Sequence, residues 1–290
     1  MARPEDEPAH DRARAVAALV LVGVLWSTAG ALIKYVAWPP AAIWGLRAAI
    51  AAVALIAIHR PSWRGLSPAE IGAGVALAAN TGLFILANKW TTAANAILIQ
   101  YSAPAWAALL GAVILHERAH ARDALAIVLA LAGVTLFFVD HLEAGHQAGN
   151  AVALLSGVVF ATTVVLLRKV ARDPARGASA ALRAMILGHV IAAAIGLPFV
   201  IAAPALPASG WAAMLGLGLL QQTAPTLLYA WSIKRVSAVE GLLIPIVEPI
   251  LSPVWVGLLF GEWPGPWALV GGAIVIAAVT WRGLAPTSAA

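Results

Sequence analysis

Long apolar runs recur along almost the entire chain, and short breaks that contain proline or charged residues separate them. A helix needs about 20 apolar residues to cross the hydrocarbon core of a bilayer. The breaks have local causes, such as the Trp38-Pro39-Pro40 sequence, because proline cannot continue a helix. We predict ten membrane-spanning helices, at residues 14–34, 40–59, 68–88, 93–116, 122–139, 149–169, 179–202, 209–231, 238–260 and 265–284.

The composition excludes a water-soluble protein. Of the 290 residues, 62% are hydrophobic and 11% are charged, whereas soluble domains have about 25% charged residues. Such a chain lacks the polar surface that would cover a core in water. It also has no cysteine, which excludes disulfide scaffolds and thiol or iron–sulfur chemistry. We therefore predict an all-α membrane protein, and no soluble enzyme.

The positions of the basic residues predict the orientation. Fourteen of the 18 lysines and arginines fall on the side of the N-terminus, while only Lys34 and Lys89 fall on the opposite side. Arg47 and Arg183 lie inside predicted spans. Because cytoplasmic loops carry the excess of basic residues, both termini are predicted to be cytoplasmic, with residues 1–13 as a cytoplasmic tail. The sequence pI of about 10.1 then reflects topology and gives no reason to expect nucleic acid as a partner.

The two halves of the chain are related by an internal repeat. Shifted by 145 residues, Lys89–Phe138 superposes on Lys234–Gly283 with nine identities in fifty positions. The matches include a mid-helix proline (Pro104 and Pro249) and a helix-ending glutamate (Glu117 and Glu262). We predict one five-helix repeat in residues 14–139 and a second in 149–284. Five is an odd number, so the second repeat is inverted, an arrangement that places a site between the halves near the midplane and serves alternating access.

A resemblance to a known family rests on short motifs in a fixed order. They are Trp26-Ser27, Leu46-Arg47, Leu77-Ala78-Ala79-Asn80, the stretch from Thr92-Ala93-Ala94 to Pro104 and Glu117, and its second copy from Ser237-Ala238 to Pro249 and Glu262. This pattern resembles the EamA-type transporters of the drug/metabolite transporter superfamily over essentially the whole chain. Within that family it is most similar to bacterial inner-membrane exporters of aromatic and other hydrophobic amino acids.

The resemblance implies a multi-pass secondary transporter of the bacterial inner membrane without a cofactor. Amino acids are then the expected substrates, protons are a candidate coupling ion, and the protein is expected to be a monomer. The substrate would lie among the first, third, fourth, sixth, eighth and ninth spans, and the second and seventh spans would move at the gates. A general metabolite or drug exporter of the same family is the alternative, although a carrier of anionic nucleotide sugars would need basic residues deep in the membrane.

Glu248 is the only carboxylate that we place at bilayer depth, in the ninth span. A charged residue there costs about 2.5–3.5 kcal/mol on insertion scales, so its side chain is expected to face the interior. We predict that it contacts the ammonium group of the substrate or carries a coupling proton. A buried acid that only bonds to a neighbouring helix is the alternative. The equivalent stretch of the fourth span has Gln100 and Tyr101 as further candidate substrate contacts.

Polar and aromatic stripes complete the predicted substrate site. Asn80 and Phe84 are four residues apart in the third span, and Gln222 and Tyr229 lie on one stripe with Thr226 in the eighth span. Amide and phenol groups would lack partners in lipid, so both stripes should face the centre. Trp26 and Phe160, aligned by the repeat, are candidate walls for a flat side chain. For each of these residues, packing between helices is the alternative role.

Two ion pairs are predicted as gates. Arg47 and Arg183 are repeat mates, as are Glu117 and Glu262. The topology places Arg47 with Glu262 toward the outside and Arg183 with Glu117 toward the inside, so one pair would break at each mouth in turn. The alternative is that the arginines extend toward lipid phosphates. Pro104 and Pro249, which interrupt helical hydrogen bonding, are assigned to the gating set.

One enzyme motif is present but is rejected. His116-Glu117-Arg118-Ala119-His120 satisfies the zinc-protease pattern H-E-x-x-H. Its repeat counterpart around Glu262 has no histidine, and a convincing third ligand is missing. An intramembrane zinc metalloprotease is therefore a remote alternative, and we expect neither a metal site nor enzymatic activity. No G-x-x-x-x-G-K-[ST] loop is present either, which excludes direct drive by ATP through such a loop.

Overall fold

The computed structural model describes residues 6–115, 125, 128–129, 131–133, 135–136, 144–173, 179–236, 241 and 244–283. Within these residues the chain consists of helices and short connections. The first group of helices is α1 (Asp6–Ser27), α2 (Ala29–Tyr35), α3 (Pro40–His59), α4 (Pro68–Trp90), α5 (Ala93–Gln100) and α6 (Ala103–Ile114). The second group is α7 (Ala144–Ala171), α8 (Ala180–Ile201), α9 (Ala208–Leu215), α10 (Ala224–Ser232), α11 (Val247–Phe260) and α12 (Pro266–Gly283).

Two of the predicted spans are interrupted in the structure. The first span is divided into α1 and α2 at Thr28, whose hydroxyl donates to Leu25 O at 2.7 Å. The fourth span is divided into α5 and α6 at Tyr101 and Ser102. Pro104 explains the second break, because it has no N–H to bond to the preceding turn. The break leaves the Tyr101 side chain at the middle of the span, where it faces the second half of the protein.

The third span begins with a complete set of helix-start signals. Pro68 occupies the first turn of α4, and the Ser67 hydroxyl accepts from the Glu70 N–H at 3.2 Å while the Glu70 carboxylate accepts from the Ser67 N–H at 2.8 Å. This capping box satisfies two backbone donors that the helix itself leaves free. It also fixes the Glu70 side chain at the start of α4, where it is fully buried.

The predicted eighth span contains a π-helical segment, Gly216–Thr223, between α9 and α10. Its wider turn is visible in the Thr223 hydroxyl, which donates to the Gly218 carbonyl five residues earlier at 2.8 Å. Gly218 allows this segment to lie directly on α3, because a Cβ there would be 2.5 Å from the Ile50 side chain. Segments of this kind are frequent at functional sites.

The two groups of helices pack directly against each other. Helix α4 lies on α7 and α8, and α3 crosses α8 where Gly45 meets Gly196. A Cβ on Gly45 would be 2.5 Å from the Gly196 carbonyl carbon, so the two backbones touch. Small residues are typical of such crossings because helices in lipid associate mainly through close packing.

The outer surface is strongly apolar, as a membrane protein requires. Val53, Ile201 and Leu258 are 70%, 78% and 68% exposed. Six helical segments of the described chain are long and apolar enough to cross a membrane: Asp11–Tyr35, Pro40–His59, Pro68–Trp90, Ala93–Ile114, His146–Ala171 and Ala180–Ile201. The protein is thus an all-helical, multi-pass membrane protein. The predicted fifth span lies mostly outside the described residues, and the positions described within it are helical.

Candidate substrate-binding site

A narrow cavity lies at the centre of the helices, where α1, α3, α4, α5, α7, α8, the π segment, α10 and α11 meet. It is lined by Trp26, Arg47, Leu77, Asn80, Thr81, Phe84, Gln100, Phe160, Met185, Gln221, Gln222, Thr226 and Glu248. Its volume is about 70 Å³, far below the roughly 300 Å³ or more of pockets that hold small-molecule ligands. The surrounding helices must therefore separate before the cavity can admit a substrate larger than water.

Glu248 reaches this cavity at the start of α11 and is 7% exposed. The Tyr101 hydroxyl lies 3.0 Å from Glu248 Oε2 and 2.9 Å from the Pro245 carbonyl oxygen. Tyr101 comes from the break between α5 and α6, so this contact joins the two halves of the chain. Glu248 is thus bonded to a neighbouring helix and also lines the cavity, which makes the two sequence interpretations of this residue compatible.

Amide groups form a hydrogen-bonded cluster that also reaches the cavity. Gln100 Nε2 donates to Asn80 Oδ1 at 3.0 Å and to Ser156 Oγ at 2.7 Å, and the Ser156 hydroxyl donates to Asn80 Oδ1 at 3.0 Å. The cluster is buried and joins α4, α5 and α7. Buried polar groups need such partners because an unmade hydrogen bond costs about 1–3 kcal/mol.

Aromatic rings form one wall of the cavity. The Trp26 ring meets Phe160 edge-on, with centroids 6.2 Å apart and an interplanar angle of 77°, and lies 5.7 Å from the Tyr229 ring. Tyr229 is buried behind Trp26, and its hydroxyl has no hydrogen-bond partner among the described residues. Edge-on and tilted ring pairs are favourable arrangements of aromatic side chains. Trp26 and Phe160 line the same cavity as Glu248.

Arg47 lies in this cavity, and the prediction that it pairs with Glu262 at a mouth is wrong. Its side chain is 2% exposed, and it donates from Nη1 to Gln221 Oε1 at 3.2 Å and from Nη2 to the Thr81 carbonyl at 3.4 Å. Gln222 Nε2 donates to the same Gln221 oxygen at 2.9 Å. The guanidinium is turned inward because α3 packs on the π segment, which carries Gln221.

Glu262 instead pairs with Lys34 at one end of the bundle. Glu262 Oε2 lies 3.1 Å from Lys34 Nζ, and Oε1 accepts from the Ala93 N–H at the start of α5 with a distance of 2.7 Å. Gly261 has a φ of +68° and ends α11, so the next residue turns toward α2 and α5. We refer to the Lys34–Glu262 contact as the Lys34 pair.

Arg183 pairs with Glu70 at the other end. Arg183 Nε donates to Glu70 Oε1 at 2.8 Å, and Nη1 donates to the Ser62 carbonyl at 3.2 Å. The predicted partner Glu117 lies outside the described residues. We refer to this contact as the Arg183 pair. Glu70 lies in the first turn of α4, and Thr91, whose carbonyl accepts from Lys34, follows the last residue of α4. The two pairs are therefore about 30 Å apart at 1.5 Å per residue.

The structure can be compared with the sequence predictions for the substrate residues, the gating residues and the H-E-x-x-H segment. Seven of the nine predicted substrate residues line the cavity, and Tyr101 and Tyr229 lie directly behind its wall. Of the predicted gating residues, Arg47 is in the cavity, and Glu262 and Arg183 are in the end pairs. Pro104 lies in the first turn of α6, and Pro249 follows Glu248 in α11. The H-E-x-x-H segment lies outside the described residues.

Some residues of the site were not predicted from the sequence. Ser156, which belongs to the amide cluster, is one helical turn before Phe160, and this i, i+4 spacing could have identified it. Gln221 and Gln222 are adjacent in sequence, and an α-helical pattern brings only one of them inward. The π segment brings both to the cavity. Leu77, Thr81 and Met185 have no polar signal that separates them from ordinary packing residues.

A polar, partly aromatic cavity inside an apolar helical bundle defines the class as a multi-pass membrane protein with a buried site for a small molecule. Residues 13–139 and 147–282 each match the EamA-like transporter family, and the chain belongs to that family. It is accordingly an EamA-type transporter of the drug/metabolite transporter superfamily, and membrane transport of a small molecule is its function.

Relatives agree with this assignment. An uncharacterized transporter of Archaeoglobus fulgidus is 25% identical over 268 residues, which cover 92% of this chain and 96% of that protein. A probable terminal-alkyne amino-acid exporter of Streptantibioticus cattleyicolor is 29% identical over 284 residues, with 92% of each chain covered. A crystal structure of another protein superposes with a TM-score of 0.64 at 20% identity, covering 92% of this chain and 95% of that one, which supports the fold alone.

Proposed function

We propose that this protein exports hydrophobic and aromatic amino acids across a bacterial inner membrane by alternating access. In this proposal ten spans form two inverted five-helix repeats in residues 14–139 and 149–284, and both termini, with the tail at 1–13, are cytoplasmic. The protein acts as a monomer without a cofactor. One relative named as a probable amino-acid exporter supports the substrate class.

The observation that carries the proposal is that Glu248 lines the same cavity as the aromatic residues Trp26 and Phe160. A carboxyl group can bind the ammonium group of an amino acid, and the rings of Trp26 and Phe160 can pack against an apolar side chain. The amide cluster of Asn80 and Gln100 faces the same space. Ligand sites of this type combine a mostly apolar wall with a few polar groups that fix orientation.

The two end pairs are the proposed latches. In the proposed orientation, the Lys34 pair closes the extracellular end and the Arg183 pair closes the cytoplasmic end. Both pairs are formed in the structure, while the cavity between them has a volume of about 70 Å³. Breaking one pair at a time would open the cavity to one side only, as alternating access requires.

The contacts of Tyr101 support protons as a coupling ion. Its oxygen is within hydrogen-bond distance of both Glu248 and the Pro245 carbonyl. One hydroxyl hydrogen makes one full hydrogen bond, so both contacts are full hydrogen bonds only when Glu248 carries a proton and donates to Tyr101. A substrate ammonium group that binds the carboxylate would displace this proton, which couples amino-acid exit to proton entry.

Transport by purified protein in liposomes tests the proposal. Vesicles loaded with one labelled amino acid are followed with and without an imposed pH gradient, for phenylalanine, leucine and glutamate. We expect the first two to be transported and accelerated by the gradient, and glutamate to be excluded by its second negative charge. The matched control is Glu248→Gln, which keeps the shape of the side chain and removes its charge. Its transport should no longer respond to the gradient.

A further inference from the structure

Arg47 is a buried cation without a counter-charge in the described part of the chain. It is 2% exposed, and the partners that the structure gives it are the neutral Gln221 oxygen and Thr81 carbonyl. Both contacts are long, at 3.2 and 3.4 Å. A guanidinium has five N–H donors, so three of them lack an acceptor among the described residues. A buried charge left unpaired is destabilising by several kcal/mol.

Glu248 presents the opposite situation in the same cavity. It is 7% exposed, and the hydrogen bond that the structure gives it is with the neutral Tyr101 hydroxyl. Arg47 and Glu248 both line the cavity, yet they form no ion pair with each other, since no described nitrogen–oxygen distance between them is within 4.0 Å. The cavity therefore contains one acidic and one basic group that are separated, with neither paired to an opposite charge.

We propose that Arg47 binds the α-carboxylate of the substrate while Glu248 binds its α-ammonium group, so that the transporter selects free zwitterionic amino acids. The inference rests on the proposed function, and it replaces the gating role that the sequence suggested for Arg47. An amino acid between the two groups gives each its missing counter-charge. A guanidinium is well suited to this task because it binds a carboxylate through two parallel hydrogen bonds.

The surroundings of Arg47 support a binding role. Gln222 donates to the same oxygen of Gln221 that accepts from Arg47, which fixes that oxygen and with it one edge of the guanidinium. The π segment that carries both glutamines packs on α3. Arg47 is thus held from one side, and its remaining donors are free to meet a carboxylate. Neutral ligands or simple cations would leave this group unpaired.

Ligand analogues test the inference on the wild-type protein in detergent or liposomes. The probes are L-phenylalanine, phenethylamine, which lacks the carboxylate, and 3-phenylpropionate, which lacks the ammonium group. We expect each analogue to bind roughly 10- to 100-fold more weakly than phenylalanine, the range for a lost hydrogen bond to a charged group. Equal affinity for phenylalanine and phenethylamine overturns the role of Arg47 but leaves amino-acid transport standing. Binding of none of the three probes overturns the proposed function itself.

Variants separate a binding role from a structural one. Arg47→Gln should reduce phenylalanine affinity to that of phenethylamine without weakening phenethylamine binding. Glu248→Gln should reduce phenylalanine affinity to that of 3-phenylpropionate. The matched control is Arg64→Gln, which removes an exposed arginine of the α3–α4 loop and should preserve the wild-type order of the probes. If Arg47→Gln weakens phenylalanine and phenethylamine equally, Arg47 is structural and the inference is wrong.

Discussion

Glu262 holds one end of the bundle through two separable contacts, so its replacement allows a quantitative test of the latch. The ion pair with Lys34 joins side chains that are 26% and 22% exposed, for which we estimate about 0.5–1 kcal/mol. The bond from the Ala93 N–H resembles a helix N-cap and contributes about 1 kcal/mol. Both contacts are lost when this end opens, so both contribute to keeping it closed.

The two contributions predict a graded series. Glu262→Gln retains an oxygen for Ala93 but loses the charge, so the population in which this end is open should rise roughly 2- to 5-fold. Lys34→Gln also loses the hydrogen bond to the Thr91 carbonyl, so its rise should be at least as large. Glu262→Ala loses both contacts, and about 1.5–2 kcal/mol corresponds to roughly a 10- to 30-fold rise. The double variant Lys34→Gln with Glu262→Gln should resemble Lys34→Gln alone, because the ion pair is already absent there.

Cysteine accessibility provides the assay, because the chain has no cysteine of its own. A single cysteine replacing Phe84 on the cavity wall is labelled by a membrane-impermeant thiol reagent added outside intact cells. We expect the labelling rate to increase in the order wild type, Glu262→Gln, Glu262→Ala. The matched control is Arg183→Gln at the opposite end, which should not increase labelling from outside. An unchanged rate in Glu262→Ala would refute the latch.

Three further outcomes are expected. Trp26→Leu removes an aromatic wall and should reduce phenylalanine affinity at least several-fold more than leucine affinity, as measured by competition binding. Arg183→Met removes the Arg183 pair of the fully buried Glu70 and should destabilise the protein by about 3–5 kcal/mol. The measurement is the melting temperature in detergent, and an unchanged value would contradict the pairing. Gly196→Ala forces α3 and α8 apart and should lower the melting temperature, at a cost of about 1–3 kcal/mol in stability. The control Gly216→Ala should have little effect on the melting temperature, because a Cβ there would have only one neighbour within 4 Å, at 3.6 Å.

The helices and the residues that line the cavity could be predicted from the sequence for one physical reason. A polar side chain in a lipid-facing position is expensive, so Asn80, Gln100, Gln222 and Glu248 had to face inward. Because an amphipathic stripe defines a face of each helix, residues on those stripes meet wherever the faces meet. The structure brings these four residues into one cavity.

The hydrogen-bond and ion-pair partners of the charged residues could not be predicted in the same way. Inverted symmetry predicts the end of the bundle near which a residue lies, but it does not determine the rotation of the helix or the neighbour that it meets. Arg47 was therefore assigned to Glu262, whereas the packing of α3 on the π segment directs it to Gln221. The π segment itself follows from backbone geometry, and the apolar pattern of 209–231 contains no signal that distinguishes it from an ordinary helix.

Counterflow of labelled L-phenylalanine can show whether the protein transports amino acids and whether transport requires Glu248. Liposomes containing the purified protein and unlabelled phenylalanine are placed in a trace of labelled phenylalanine, and uptake is compared between wild type and Glu248→Gln. We expect a transient, saturable accumulation in the wild type and a strong reduction in the variant, because the ammonium group loses its counter-charge. Accumulation in Glu248→Gln equal to that of the wild type, or none in the wild type with any hydrophobic amino acid, would contradict this expectation.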